Sequence, residues 1–395
     1  MADIAIDSPR GSNQSAIRAY NERLVLTLLH RHGALAKAEI AKVTGLSAQT
    51  VSVIMRQLEK DEMILRGEPV RGRVGQPSVP FSLNPEGAFF FGVKVGRRST
   101  EVILTNLSGQ ILERRSRVYG HPAPEDITAF LTEEIRAITK SRKPRERDRI
   151  AGLGIAMPGN LWNWPGVIGV APEAMEGWRD VDMQALLAQA LPFPVYLQND
   201  ASAACGAELI FGQAELPSEF LHLYLGYFIG GGVVFSDTAY TGPTGNAGAL
   251  GSIPVTLNGK TQQLIEIASI HTLEKKLKQH GEDSILTDRE DWPIPDRIAT
   301  EWLSEASEAM AQAIAASCAV VDFPAVVIDG WMPARLRSRM VARVEEALMR
   351  QDFTGIAPPK IIEGTLGPEA RSLGAAALPL AATILIDTAA LQKAI

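Results

Sequence analysis

The first residues with chemical potential lie on a helix-spaced stretch between Ser47 and Lys60. Positions three and four apart on a helix project together, so Val51, Ile54, Met55 and Leu58 form an apolar face. Gln49, Ser52, Val53, Arg56 and Lys60 fall on or near the opposite one. Such a face suits a DNA major groove: a Gln amide can pair with an adenine edge, a Val side chain can touch a thymine methyl, and Ser, Arg and Lys reach bases or phosphates. Ser47 supplies an N-cap side chain, with Thr50 in the first turn beside it. Downstream, Arg71, Arg73 and Gln76 stand among Gly67, Gly72 and Gly75, closed by Pro77. Guanidinium groups on a glycine-rich tip can lie along a phosphate backbone or enter a minor groove. The competing interpretation is a three-helix unit with a solvated polar face and a solvated basic loop.

Other chemistries find no support in the residue inventory. Cys205 and Cys318 are the only cysteines, too few for a disulfide framework or a four-thiolate zinc site, and they fit a reducing cytoplasm. Gly152-Leu153-Gly154 lacks the third glycine and the downstream acidic partner of a dinucleotide fingerprint, and no phosphate-binding Gly-x-x-x-x-Gly-Lys-Ser/Thr loop occurs. The six histidines show no metal-ligand spacing. No cofactor and no metal are expected.

A length of 395 residues exceeds one ordinary domain, and 46% hydrophobic against 21% charged residues can bury a sizeable core. Net charge is −6, but it is unevenly spread. Residues 1–84 carry eleven Lys/Arg against eight Asp/Glu, and the remainder 28 against 37. Any contact with a polyanion therefore belongs to the head. A tail over residues 1–12 precedes a first helix over 14–29, with Ile17, Tyr20, Leu24 and Leu28 as its stripe. A short helix over 37–43, a Thr44-Gly45-Leu46 turn and the Ser47-capped helix complete a helix-turn-helix, and two strands between Leu65 and Leu83 make a wing. The body begins after Asn84-Pro85. Strands are expected over 88–95, 101–107, 110–118, 150–157, 194–198, 220–227, 233–236, 325–328 and 360–363, with Gly230-Gly231-Gly232 in a turn. Helices are expected over 127–139, 201–208, 300–318, 333–349 and at the end, while the basic stretch 140–149 reads as solvated. Two glycine-containing hairpins hint at a duplicated α/β lobe. The start has neither a basic nor an apolar signal region, and the apolar run 374–386 is interrupted by Pro379 and too short to span a bilayer. A cytoplasmic protein without membrane contact is expected.

Several segments together resemble the ROK family. The head, with Arg18-Ala19-Tyr20-Asn21-Glu22-Arg23 and Gly72-Arg73-Val74-Gly75-Gln76-Pro77, is similar to the DNA-binding part of ROK transcriptional regulators. The body marks are Gly152-Leu153-Gly154-Ile155-Ala156-Met157-Pro158-Gly159, Gln198-Asn199-Asp200-Ala201, Gly230-Gly231-Gly232 and the segment from Gly242 to Ser252. The resemblance implies an α/β protein: a winged helix-turn-helix over 13–84 and an actin-like, ribonuclease H-like two-lobed sugar-kinase fold over 85–395. One lobe would take 85–199 plus the C-terminal helix, the other 200–374. It further implies double-stranded DNA with an inverted-repeat operator as partner, a homodimer or homotetramer, and a small sugar or sugar-derivative effector.

The departures from the family pattern shape the functional expectation. Where ROK kinases open with Asp-x-Gly-Gly-Thr for metal and phosphate, this chain has Lys94-Val95-Gly96-Arg97-Arg98. Lysine cannot ligate Mg²⁺. The second phosphate hairpin reads Gly226-Tyr227-Phe228-Ile229, with two rings in place of a glycine and a hydroxyl. Asp200 matches the kinase base, but a base is idle without a phosphoryl donor. The family's zinc site is missing too, with Ser252 at its His position. Asn199 and Asp200 match sugar-hydroxyl contacts, with an Asx turn capping the following helix as the alternative. Gly159, Asn246 and Ser252 lie in the matching motifs, Glu173 stands at a family Asn, Ala249 replaces a family Glu, and Glu266 stands near a later acidic contact. A repressor of carbohydrate-related genes with a catalytically retired kinase body is expected. The alternatives are a sugar kinase with an added head and an effector-independent dimeric DNA-binding protein.

Overall fold

The computed structural model describes residues 14–69, 78–159, 161, 173–282 and 292–386. The head runs α1 (Gln14–His32), β1 (Leu35–Ala36), α2 (Lys37–Thr44), α3 (Ala48–Lys60), β2 (Ile64–Arg66) and β3 (Pro80–Leu83). Its three strands form an antiparallel sheet in the order β1-β3-β2. Two local devices set the helix-turn-helix. The Ala36 N–H donates to Glu39 Oε2 at 2.7 Å, starting α2, and Gly45 at φ 69° stops it. Ser47 Oγ then accepts from the Thr50 N–H at 3.0 Å, starting α3. Val25, Leu29, Ile40, Val51, Ile54, Met55, Leu58, Ile64 and Phe81 form the buried core between these elements.

In one respect α1 differs from the stripe its spacing predicts. Ile17 and Tyr20 are 52% and 38% exposed, and burial begins only at Leu24. The helix outruns the small core beneath it. Periodicity says which side of a helix is apolar, not how far its neighbours reach.

The body contains two five-stranded sheets. The first half runs β4 (Phe89–Val95), β5 (Ser99–Asn106), β6 (Ile111–Val118), α4 (Pro124–Ser141), β7 (Ile150–Met157), α5 (Met183–Ala190), β8 (Val195–Asn199) and α6 (Asp200–Phe211). The second runs β9 (Phe220–Leu225), β10 (Ile229–Phe235), β11 (Thr238–Tyr240), a hairpin of β12 (Pro254–Leu257) and β13 (Lys260–Gln263), α7 (Ile270–Gln279), α8 (Asp296–Val320), β14 (Ala325–Gly330), α9 (Ala334–Leu348), β15 (Lys360–Glu363) and α10 (Ala370–Thr383). Strand orders are β6-β5-β4-β7-β8 and β11-β10-β9-β14-β15. Each is an antiparallel meander followed by two parallel strands, the duplicated ribonuclease H-like topology of the actin-like fold.

The nearly unbroken apolar run of β4 follows from burial on both faces. Phe91 and Val93 pack with Ile127, Phe130 and Leu131 of α4, while Phe90 packs with Leu373, Ala376 and Leu380 of α10. Glycines let α10 come close. A Cβ at Gly154 would lie 1.8 Å from the Ala375 carbonyl oxygen, and one at Gly374 would lie 1.9 Å from that of Ala203 on α6. The Gly-Leu-Gly segment is therefore a packing device. Gly230, Gly231 and Gly232 lie within β10 rather than in the expected turn. A Cβ at Gly232 would sit 2.4 Å from Cys205 Cβ, so that strand is thinned where α6 crosses it.

Head and body share one apolar cluster, since Val25, Leu26 and Leu29 of α1 join Leu380, Ile384 and Leu385. The stretch 140–149 is only partly solvated as expected. Arg149 and Arg145 both pair with Glu62 of the head, the latter at 3.4 Å, and Arg142 pairs with Glu113 at 2.6 Å. Glu62, just beyond α3, thus partners a partly buried Arg149, whereas Arg145 stays 84% exposed. No described helix is long and apolar enough to cross a membrane.

Candidate functional site

On α3 the four buried residues Val51, Ile54, Met55 and Leu58 hold the helix to the head core, leaving Gln49, Val53, Arg56 and Lys60 exposed and Ser52 half-exposed. Ser47 and Thr50 are engaged in capping α3: their hydroxyls lie 2.8 Å apart at the N-cap. They can meet a phosphate at the helix start only while capping it. Arg71, Arg73 and Gln76 lie outside the described residues. The strands flanking them, β2 and β3, are paired from Ile64–Leu83 to Arg66–Phe81, which fixes the base of the wing.

The second candidate is a cleft of about 300 Å³. Pro158 and Gly159 follow β7, Asn199 ends β8, Asp200 opens α6, Tyr227 and Phe228 form the β9–β10 turn, and Asn246 to Ser252 supply the opposite wall. Of the expected effector contacts, Gly159, Asn199, Asp200, Asn246 and Ser252 thus come together. Glu173 and Glu266 do not: both are exposed, and Ile265 lines the cleft instead of its neighbour. The Glu266 assignment misses because the family spacing is lost along with the cysteine segment. Glu173 opens a one-turn helix, Glu173–Glu176, whose Met175 is buried in the core while Glu173 itself faces solvent.

Asn199 does act as the helix cap. Its Oδ1 accepts from the Ala201 and Ser202 N–H groups at 3.0 and 3.4 Å, so the amide NH₂ is what it can offer a ligand hydroxyl. Asp200 Oδ1 accepts from the Ala201 N–H at 3.1 Å, and its Oδ2 lies 3.5 Å from Arg371. Arg371 opens α10 and is only 7% exposed. Sequence reasoning missed it, although a signal existed: it is the one charge in a terminal helix otherwise built from Ala, Gly, Leu, Pro, Ser and Thr.

The turn joining β4 to β5 forms a second, adjoining cavity of about 350 Å³, shared through Arg97, Tyr227 and Arg371. Here Lys94 is buried and lies 3.2 Å from Ser99 Oγ, and the Arg97 guanidinium sits 4.4 Å from the centre of the Phe228 ring. Arg98 pairs with Glu274 of α7 at 3.2 Å and stacks over Tyr227 at 5.6 Å. Tyr227 itself donates to Glu274 at 3.1 Å and lies 2.9 Å from His271 Nδ1. Burial together with the Glu274 carboxylate pushes the Tyr227 hydroxyl up to about 12. The two turns therefore clasp one half of the body to the other through arginine–aromatic contacts worth about 0.5–2 kcal/mol each. Among the described residues no cluster of His, Cys, Asp and Glu is placed to hold a metal ion.

Both helices that begin in the cleft end at the head. At the far end of α6, the Ile210 carbonyl lies 2.8 Å from His30 Nε2, and the Phe211 ring meets that imidazole edge-on. At the far end of α10, Arg23 donates to the Ala381 carbonyl at 3.1 Å and to that of Leu385. Just beyond, the Ile386 N–H donates to Thr27 Oγ1 at 3.0 Å. Arg31 reaches Asp237 at 2.9 Å.

Two family models match separate stretches of the chain. Residues 20–70 match the MarR family model and residues 90–382 the ROK family model. The chain is 23% identical over 361 residues to the uncharacterized protein y4fQ of Sinorhizobium fredii, covering 91% of this chain and 90% of that one. It is 26% identical over 248 residues to the Xylose repressor of Bacillus subtilis, covering 63% of this chain and 64% of that one. Among solved structures, a ROK family transcriptional regulator described as a homolog of the E. coli MLC protein superposes with a TM-score of 0.68 at 21% identity, over 92% of this chain and 96% of that one. A ROK family glucokinase from Streptomyces griseus, solved with glucose and AMPPNP, superposes over the body with a TM-score of 0.57 at 18% identity, covering 74% of this chain and 99% of that one. Regulator and kinase thus share the body fold, and with a family model spanning most of its length the chain belongs to the ROK family.

Proposed function

We propose that the protein is a sugar-responsive, DNA-binding transcriptional repressor whose cleft holds a small carbohydrate-like effector. The observation that carries this reading is the shared course of α6 and α10, which begin at Asp200 and Arg371 in the cleft and end against Arg23 and His30 of α1. A ligand that favours one arrangement of these helices over another changes the posture of the head, and only that difference in affinity does regulatory work. Relatives named as repressors support the same reading. The exposed face of α3 reads the major groove, and two copies related by symmetry read an inverted repeat with half-sites about one helical turn or a multiple apart.

Phosphoryl transfer is disfavoured in this cleft. Lys94 and Arg97 put positive charge at the β4–β5 turn, which would repel a nucleotide's Mg²⁺, the rings of Tyr227 and Phe228 occupy the β9–β10 turn, and Arg371 lies 3.5 Å from Asp200 and offsets its charge. A coupled ADP-release assay across a hexose panel is expected to stay at background. Turnover that disappears in Asp200→Asn would instead identify a kinase.

The deciding experiment is selection of binding sites from random duplex DNA by the full-length protein at fixed salt, with Arg56→Ala alongside. Enrichment of a two-half-site palindrome, lost in the variant, is expected. Failure to enrich any sequence, with and without a panel of sugars present, would overturn the DNA-reading role.

A further inference from the structure

A third cavity lies where the head meets the body. It has a volume of about 260 Å³ and is walled by α1 on one side, by α6 and α10 on the other, and by β11 with its flanks. Small residues spaced along two helix faces make it. Ala203 and Gly206 on α6, and Gly374, Ala377 and Ala381 on α10, recur three or four positions apart and line the space. Ala203 and Gly374 serve the close contact between the two helices. Gly206 does not: a Cβ there would meet nothing within 4 Å. No neighbour demands a glycine inside α6, where it costs helix stability relative to alanine. What its missing side chain does is keep the cavity open. Protein interiors are otherwise close-packed, and an apolar void lowers stability in proportion to its volume until something fills it.

The remaining lining specifies what fits. Leu209, Ile210, Leu378 and Leu385 supply aliphatic surface. Arg31 and Asp237, the two charged residues of the described lining, bond to each other at 2.9 Å, so the space offers a ligand balanced charge. Gln198, Ser202 and Thr241 add an amide and two hydroxyls. His30 donates from Nε2 to the Ile210 carbonyl at 2.8 Å, and burial lowers its proton affinity. Its ring is therefore neutral, with Nδ1 as an acceptor for a hydroxyl or N–H.

We propose that this cavity is a second small-molecule site, for a neutral, mainly apolar molecule of one or two rings with a hydrogen-bonding end. An apolar cavity of about 150 Å³ can hold benzene, and this one is larger. It shares only Ser202 with the cleft, and the inference stands apart from the effector reading. Because α1 forms one wall, a molecule seated here bridges head and body.

The test is a calorimetric and thermal-shift titration of the full-length protein with cyclohexanol, p-cresol, benzyl alcohol and indole, and with benzoate as the charged counterpart of benzyl alcohol. At least one neutral probe is expected to bind with a Kd of about 1 mM or tighter and to raise Tm, with benzoate about tenfold or more weaker than benzyl alcohol. Gly206→Leu, which fills the space from α6, is expected to abolish binding. Gly206→Ala trims the space by one methyl group and is expected to weaken indole more than cyclohexanol. No binding by any neutral probe would overturn the site, as would affinities unchanged in both Gly206 variants. Benzoate binding as tightly as benzyl alcohol would overturn the neutral class. Binding gained only by a chain ending at Ile386 would make the protein's own last nine residues the occupant in place of a small molecule.

Discussion

Val53 and Arg56 neighbour each other on the outward face of α3, yet their loss should register differently. Val53 is 49% exposed and offers only methyl groups. Val53→Ala is expected to relax discrimination at one position of each half-site by about 1–3 kcal/mol and to leave the salt dependence of binding alone. Arg56→Ala, if Arg56 meets a phosphate, weakens binding to all duplexes and lowers the slope of log affinity against log salt by about one per head. Anisotropy titrations at three salt concentrations separate these outcomes, and identical, sequence-independent effects of both changes would remove α3 from the groove. A second residue sets acid sensitivity. His222 on β9 is completely buried, neither ring nitrogen has a partner among the described groups, and burial lowers its pKa from 6.5 to about 3. The folded chain keeps the ring neutral while the unfolded chain protonates it, so stability is complete above pH 6.5 and falls as pH drops toward 3. The loss is about 1.4 kcal/mol per pH unit in that window. His222→Leu should flatten this part of the stability-against-pH curve measured by urea unfolding, and an unchanged slope would show that other groups set it.

At the scale of elements, the contact of α10 with β7 and α6 is the joint on which the body depends. Gly154→Ala or Gly374→Ala would drive a methyl into a carbonyl oxygen below 2 Å, and a destabilisation of about 1–3 kcal/mol is expected as the helix is pushed off its seat. Gly206, inside α6 with open space around it, should behave oppositely, Gly206→Ala stabilising by about 0.5–1 kcal/mol. Thermal or urea melts of the three variants test the pair of claims together; equal effects would mean that the close approach is not what the glycines serve. The same joint explains what was and was not legible in the sequence. The short β-rich runs of β4 to β6 with the turns between them, the Ser47 cap and the Gly45 turn carry local signals, so the head and the first sheet could be read directly. The seat of α10 could not, because Gly152, Gly154 and Gly374 acquire meaning only when elements roughly 170 or more residues apart in sequence meet. The cleft was half legible for the same reason. Asn199, Asp200, Asn246 and Ser252 sit in local motifs, whereas Arg371 is marked only as the single charge of a largely apolar helix, which names no partner for it.

For the whole molecule, the cleft and α3 are joined through α1, which is packed into the head core on one side and bonded to the ends of α6 and α10 on the other. Linkage then requires symmetry: whatever factor the effector imposes on operator affinity, the operator must impose on effector affinity, about 5- to 150-fold for a coupling of 1–3 kcal/mol. Arg23 is the residue with which to probe that joint, because it contacts the Ala381 carbonyl in the last turn of α10 and the Leu385 carbonyl just beyond it, and faces neither the cleft nor the exposed side of α3. Arg23→Ala is expected to reduce the coupling free energy by about 0.5–2 kcal/mol while shifting each separate affinity much less. Four titrations measure it: operator with and without saturating effector, for the parent protein and for Arg23→Ala. A coupling factor unchanged in the variant would mean that the signal passes around α1, through the Glu62–Arg149 contact between head and first sheet, and Arg149→Ala would then become the variant that uncouples the two sites.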